Sequence, residues 1–462
     1  MPGLFARLGR RAVLRNRARI DRFKLASRAH VRARLLADAA IGDAVRAHAT
    51  ENGIAERDVW ATVDAYVREI VPFFNVVAYY QIGYRVSGWL LNLFYKVSVD
   101  FAEPKARERL PREAVIVYVM NHRSNADYVL VSYGLAGQVS ISYAVGEWAR
   151  AFPLEHVFKA FGSYFIRRRY REPLYHAVLE RYVQLITREG VTQGIFVEGG
   201  LTRDGKLRPP KIGLLDYVLG IGRDPAYAER LYVVPVAVNY DRVLEDRSLL
   251  RELDSKEGGR RPSRLTQAWE VGHYVAWNLA RLLARQWKRY GRAAVVVGAP
   301  IPLGPWFAAQ QDLFAIEKPE RLARVQSLCD DLLGRVGALI PVTPVPLVCA
   351  AIQSFDGEYI ARDALLERID EMRGVLRELN GGVVRQDRSP EELFDRAYRM
   401  LRMRRVISRT GSGYLVLPKG RPLVSYYANS IGHLLGPFAT AVRARDALPS
   451  MTFADATSVA NR

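Results

Sequence analysis

The stretch Ala114-Val-Ile-Val-Tyr-Val-Met-Asn-His-Arg-Ser-Asn-Ala-Asp127-Tyr-Val-Leu130 decides how the rest of the chain is read. Its first seven residues are apolar and rich in β-branched side chains, the pattern of a buried strand. After Asp127 the sequence is poor in polar residues and compatible with a helix. His122 is therefore expected where a buried strand hands over to a helix, a common location for chemistry in α/β proteins. His122 and Asp127 are five positions apart, so on a continuous helix they would point about 140° away from each other. They meet only if the backbone bends between them, and Asn121, Ser124 and Asn125 are residue types that favour such a bend and cap the following helix.

Around this stretch the pattern repeats. Short apolar runs recur at 115–120, 141–145, 194–197, 232–238 and 294–297, separated by helical stretches such as 174–188 and 265–289. Strands alternating with helices predict an α/β layer architecture with a mixed, largely parallel sheet flanked by helices. Pro300, Pro302 and Pro305 close this block. Downstream, 310–336, 361–379 and 390–401 read as amphipathic helices, with a break at Asn380-Gly-Gly382. Upstream, 58–96 reads as helical and carries many aromatics. The expected organisation is a basic, amphipathic helical region over residues 1–100, an α/β core over 101–305 and a helical region over 306–462.

The chain has 462 residues, enough for a sizeable core, with 49% hydrophobic and 25% charged residues. Its 68 Lys+Arg against 48 Asp+Glu give a net charge of +20, which favours anionic partners such as a lipid surface or a phosphorylated substrate. No recognised nucleic-acid motif accompanies that charge, so no nucleic-acid partner is expected. Two cysteines, Cys329 and Cys349, argue against a disulfide framework and fit a reducing compartment, and no His/Cys cluster has zinc-ligand spacing. Residues 1–36 interleave eleven Arg and Lys with apolar residues against one acid, Asp21, which reads either as a basic amphipathic anchor for anionic lipid or as a solvated arm. The window 70–99 is the most membrane-like, but Arg85 and other polar residues interrupt it, so a helix lying on a membrane or against the core is expected rather than a span.

Four stretches carry candidate chemistry. His122 is a suitable general base at neutral pH, and Asp127 on its other nitrogen would fix the tautomer and stabilise the imidazolium. The same pair also fits a core histidine beside a helix-capping aspartate. Gly162-Ser-Tyr-Phe-Ile-Arg-Arg-Arg-Tyr170 places Arg167, Arg168 and Arg169 where they could hold a phosphate or form a solvated face. Gly194-Ile-Phe-Val-Glu-Gly-Gly-Leu-Thr-Arg-Asp-Gly205 ends a strand at Glu198 and opens a glycine-rich loop suited to an anion. Val233-Val-Pro-Val-Ala-Val-Asn-Tyr240 is a proline-containing strand that could shape a pocket wall. The remaining histidines, His433 among them, suggest no chemistry.

In order and spacing these four blocks resemble the motifs of the H-x4-D glycerolipid acyltransferases. Pro344-Val-Pro-Leu-Val-Cys-Ala-Ala-Ile352 and Leu423-Val-Ser-Tyr-Tyr-Ala-Asn-Ser-Ile-Gly-His-Leu434 look like the C-terminal segments of the glycerol-3-phosphate acyltransferases. The resemblance implies transfer of a fatty acyl group from a coenzyme A or acyl carrier protein thioester to the 1-hydroxyl of glycerol 3-phosphate. The thioester is a co-substrate, and no resident cofactor or metal is implied. His122 would be the general base, Asp127 its orienting partner, and Arg167, Glu198, Gly199, Thr202 and Arg203 the acceptor site. Direct attack is expected, because no G-x-S-x-G nucleophile elbow appears. The implied location is peripheral, on the cytoplasmic face of the cell membrane. Leu201 stands where these enzymes usually carry arginine and Thr202 where they carry serine, and Ser140-Ile-Ser-Tyr-Ala-Val-Gly146 is not typical of the group. These departures admit dihydroxyacetone phosphate or a lysophospholipid as the alternative acceptor.

Overall fold

A computed structural model of the chain describes residues 26–75, 83–135, 140–146, 154–167, 170–256, 289–379 and 381–436. The basic arm up to residue 25, most of the stretch 265–289, and Arg168 and Arg169 lie outside the described residues.

Strand β2 (Val115–Met120) is buried at all six positions and lies in the middle of an eight-stranded sheet. A strand covered on both faces tolerates a continuous apolar run, which is what Val-Ile-Val-Tyr-Val-Met supplies. It pairs in parallel with β5 (Gln193–Phe196) on one side and with β6 (Leu231–Tyr240) on the other. Beyond β5 follow β3 (Ser142–Val145) and β4 (Tyr164–Phe165), also parallel. Beyond β6 the direction reverses: β7 (Arg292–Val297) and β8 (Ile301–Pro302) run antiparallel to it, and β1 (Lys96–Phe101) adds in parallel to β7. The sheet is therefore mixed and largely parallel, and the carboxyl ends of β2, β3, β4, β5 and β6 share one edge.

Pro235 lies inside β6, where a proline would normally break a ladder. A residue's N–H and C=O face the same neighbouring strand, and the Pro235 carbonyl accepts from Gly298 N at 2.8 Å. The missing N–H thus faces the corner between β7 and β8, where the ladder is already interrupted.

Helices cover the sheet. Helix α6 (Pro173–Arg188) starts with proline in its first turn and buries Leu174, Tyr175, Val178, Leu179, Tyr182, Val183 and Ile186, a continuous helical stripe. Ahead of the sheet come α1 (Arg28–Leu36), α2 (Ala39–Asn52) and α3 (Glu56–Ile70), and α4 (Tyr84–Phe94) precedes β1. Helix α5 (Asp127–Leu135) follows β2. After the core come α7 (Lys318–Ala338), α8 (Pro344–Gln353), α9 (Arg362–Glu378), α10 (Pro390–Met403) and α11 (Arg421–Gly432).

Three expectations are corrected. Residues 58–96 are not one helical stretch: α3 ends at Ile70, because Pro72 forces Val71 into an extended conformation (ψ 118°). The window 70–99 ends in a strand, since Lys-Val-Ser-Val-Asp-Phe pairs with β7, and among the described residues no helix is long and apolar enough to cross a membrane. The C-terminal region is not wholly helical: β9 (Tyr359–Ala361), β10 (Ile407–Thr410) and β11 (Gly413–Val416) form a three-stranded antiparallel sheet whose β10–β11 turn uses Gly411 at φ +56°.

Candidate active site

The site grows from the carboxyl end of β2. There the side chain of Asn121 continues the ladder: its Nδ2 donates to Val238 O at 3.0 Å, and its Oδ1 accepts from Val238 N at 2.8 Å. The amide stands in for a backbone unit and fixes the direction in which the chain leaves the sheet. The next residue, His122, donates its backbone N–H to Glu198 Oε1 at 2.8 Å. Glu198 Oε2 accepts from Arg208 N at 2.8 Å. Glu198 is fully buried, and desolvation raises its carboxyl above the usual carboxylate range, opposed by Arg123 and these two N–H groups.

The bend between His122 and Asp127 is built on one carboxylate. Asp127 Oδ2 accepts from His122 Nδ1 at 3.0 Å, Arg123 N at 2.7 Å and Ser124 N at 3.0 Å, while Tyr240 OH donates to Oδ1 at 2.5 Å. Asp127 N in turn donates to Ser124 O, and Ala126 N to Ser124 Oγ, so α5 opens directly after the bend. A carboxylate only accepts, so Nδ1 carries a proton, and in the neutral form of the ring Nε2 holds the lone pair. Among the described residues no group hydrogen-bonds that Nε2. The ring is stacked on Phe196, with centroids 4.1 Å apart, and lies edge-on to Tyr128. With Nδ1 held by the carboxylate, the neutral form of the ring has Nε2 as its acceptor, an arrangement able to accept a proton.

The glycine-rich loop lies alongside. Thr202 N donates to His122 O at 3.4 Å, and Thr202 Oγ1 bonds Asp204 Oδ1 at 3.0 Å. Gly199 adopts φ +64°, and a Cβ there would come within 2.7 Å of Lys211 Cδ. Arg203 Nε is paired with Glu252 at 2.9 Å.

His122, Asp127, Glu198, Gly199 and Thr202 therefore share one neighbourhood. Arg167 leaves the same sheet edge but after β4, three strands from β2, or about 14 Å at the usual strand spacing. Its guanidinium forms a two-pronged pair with Glu69 of α3, at 2.9 and 2.6 Å, and lies among the rings of Tyr66, Tyr170 and Tyr175.

Four residues reach the site with contacts not read from the sequence, which gave only Asn121 a role, in the bend. Asn121 and Arg123 lie within the quoted motif, and Tyr240 ends the fourth block, so their positions were in view but their partners were not. Glu245, partly buried, accepts from Ser124 Oγ at 2.7 Å and Asn125 N at 3.1 Å. It follows no motif and carried no signal.

A family model described as Acyltransferase matches residues 103–239, and one described as Glycerol-3-phosphate acyltransferase C-terminal region matches 276–461. The chain is 28% identical over 430 residues to a glycerol-3-phosphate acyltransferase of Aeromonas hydrophila subsp. hydrophila, and 25% identical over 430 residues to one of Pseudoalteromonas translucida. Each alignment takes in 89% of this chain and 50% of the relative, so the chain spans about half the length of these curated relatives. Among solved structures it is similar to the 1-acyl-sn-glycerophosphate (LPA) acyltransferase PlsC from Thermotoga maritima, with 17% identity, 55% of this chain and 76% of that chain covered, and a TM-score of 0.30.

Proposed function

From the premise that the chain belongs to the glycerol-3-phosphate acyltransferase family, we propose that it transfers a fatty acyl group from a coenzyme A or acyl carrier protein thioester to the 1-hydroxyl of glycerol 3-phosphate, giving lysophosphatidate. The observation that carries the reading is the His122–Asp127 pair at the carboxyl edge of the sheet, with no hydrogen bond to Nε2 among the described residues. In this reading Nε2 removes the hydroxyl proton as the oxygen attacks the thioester carbonyl. Asp127 holds the tautomer and stabilises the imidazolium. The tetrahedral adduct then expels the thiolate, which takes the proton back from His122.

The acceptor side is assigned to Gly199, Thr202 and Arg203, with Arg167 further along the edge and Glu198 holding the loop through its two N–H bonds. Arg167 and Arg203 each rest on a carboxylate that a phosphate dianion would displace or share. Leu201 favours a second reading, with dihydroxyacetone phosphate or a lysophospholipid as acceptor. Its side chain is partly buried against the core, so the charge of the usual arginine is missing there.

The protein is proposed to work at the cytoplasmic face of an anionic membrane. Val86, Trp89 and Leu90 lie at helical spacing on α4 and are exposed, Trp89 at 62%, and Tyr84 in the first turn of the same helix is exposed too. Exposed Trp and Leu with a net charge of +20 suit an anionic lipid surface. Co-sedimentation with anionic but not neutral vesicles checks this.

The test of the reaction is thiol release from palmitoyl-coenzyme A with and without glycerol 3-phosphate, for the wild type and His122→Ala. Release that depends on the acceptor and is lost in the variant supports the reading. Release with another acceptor only would move the assignment to the second reading.

A further inference from the structure

We infer that helix α11 is a working wall of the site, with Arg123 and Asn429 as positioning residues that hold the loop 199–205 against His122. This deepens the acyl-transfer reading, on which its kinetic part rests.

Arg123 follows His122 directly, and its side chain is 1% exposed. A guanidinium that deeply buried is costly unless it is partnered. Its Nη1 donates to Gly205 O and its Nη2 to Ser430 O at 3.1 Å. Ser430 lies in the last turn of α11, where carbonyls lack helical partners and the helix dipole is negative. The cation therefore closes the helix end and the loop end together.

Loop and helix also touch backbone to backbone. Gly205 sits at φ +84°, and a Cβ on it would lie 1.9 Å from Tyr426 O. Asn429 Nδ2 donates to Asp204 O at 2.8 Å. On its other side the same loop bonds His122 O through Thr202 N. The helix is itself anchored away from the loop: Tyr427 OH donates to Asp246 Oδ2 at 2.7 Å and accepts from Val243 N at 3.1 Å. It is thus a fixed wall, and the loop carrying Thr202 and Arg203 is clamped between it and the general base.

The test is Asn429→Ala, which removes one bond at the far side of the loop and leaves the Tyr427 anchors intact. The KM for glycerol 3-phosphate is expected to rise about tenfold, with the KM for palmitoyl-coenzyme A changed by less than about twofold. Arg123→Lys keeps the charge but loses the fork, so it should move the same constant further. Amide hydrogen exchange of a peptide spanning 199–208 should accelerate in Asn429→Ala. An unchanged acceptor KM with unchanged exchange overturns the inference. So does a loss of thermal stability with kinetic constants per folded molecule unaltered. If the wild type acylates no acceptor, the functional reading fails, and the exchange measurement alone still decides whether the helix positions the loop.

Discussion

Two loops leave the same edge of the sheet, one after β2 and one after β4, and they treat their charged groups in opposite ways. After β2, Asp127 is fully buried and receives four hydrogen bonds from within the core. After β4, Arg167 keeps 28% of its side chain exposed and turns away from the sheet to Glu69, on a helix of the N-terminal layer. The first loop is wired into the sheet itself, the second to an element laid over it. A general base needs its orientation fixed to a fraction of an ångström, and buried bonds of short reach provide that. A partly exposed ion pair is a weaker and exchangeable tie, suited to a cation that has to change partners.

Substitutions can break this contrast. The largest effect is expected from His122→Ala, with kcat reduced by about 10²–10⁴-fold and no change in the folded circular dichroism spectrum. Retained turnover would remove the chemical half of the contrast. Next comes Asn121→Ala, which strands both the N–H and the C=O of Val238 inside the sheet and should cost about 2–4 kcal/mol in urea unfolding. A cost below about 0.5 kcal/mol would mean that the β2 loop is not anchored as described. Glu69→Gln should cost only about 1 kcal/mol, and its effect should shrink as salt is raised. A large, salt-independent loss would place the Arg167 pair in the same class as the buried loop.

The smallest effect is a slope. Desolvation raises the Glu245 carboxyl above its ordinary value, opposed chiefly by the Ser124 hydroxyl. An acid that binds its proton more tightly when folded adds most stability at acid pH. That contribution is lost as pH rises from the ordinary carboxylate range through the raised value. Measured against Glu245→Gln, the wild type should lose ground over that window. A pH-independent difference would show that Glu245 is not desolvated by the Ser124–Asn125 turn.

Much of the architecture was legible because burial leaves a simple trace. All five apolar runs are strands, since strands covered on both faces must be apolar throughout. The missed strands are of another kind. β1 alternates Val and Phe with Ser and Asp, and β4 is two residues long. β9–β11 mix exposed Arg and Thr with short apolar stretches, so none reads as a run. At the site, the sequence put His122 and Asp127 either side of a bend, and they are hydrogen-bonded across it. It could not show that Arg167 turns to Glu69, 98 positions upstream, or that Glu245 sits under Ser124. Those contacts depend on which loops the sheet order brings together, and local sequence carries no record of that.

The bond from Arg123 to Ser430 joins residues 307 positions apart. At the usual pace of translation, roughly 15–60 s separate the synthesis of its two ends. The histidine loop can fold early in that interval, and its arginine can reach Gly205 O, but the second arm of its guanidinium must wait for the last helix. Completion of the site is thus timed by the ribosome, and a nascent chain stopped short of residue 430 would carry the His–Asp pair without the wall that faces it.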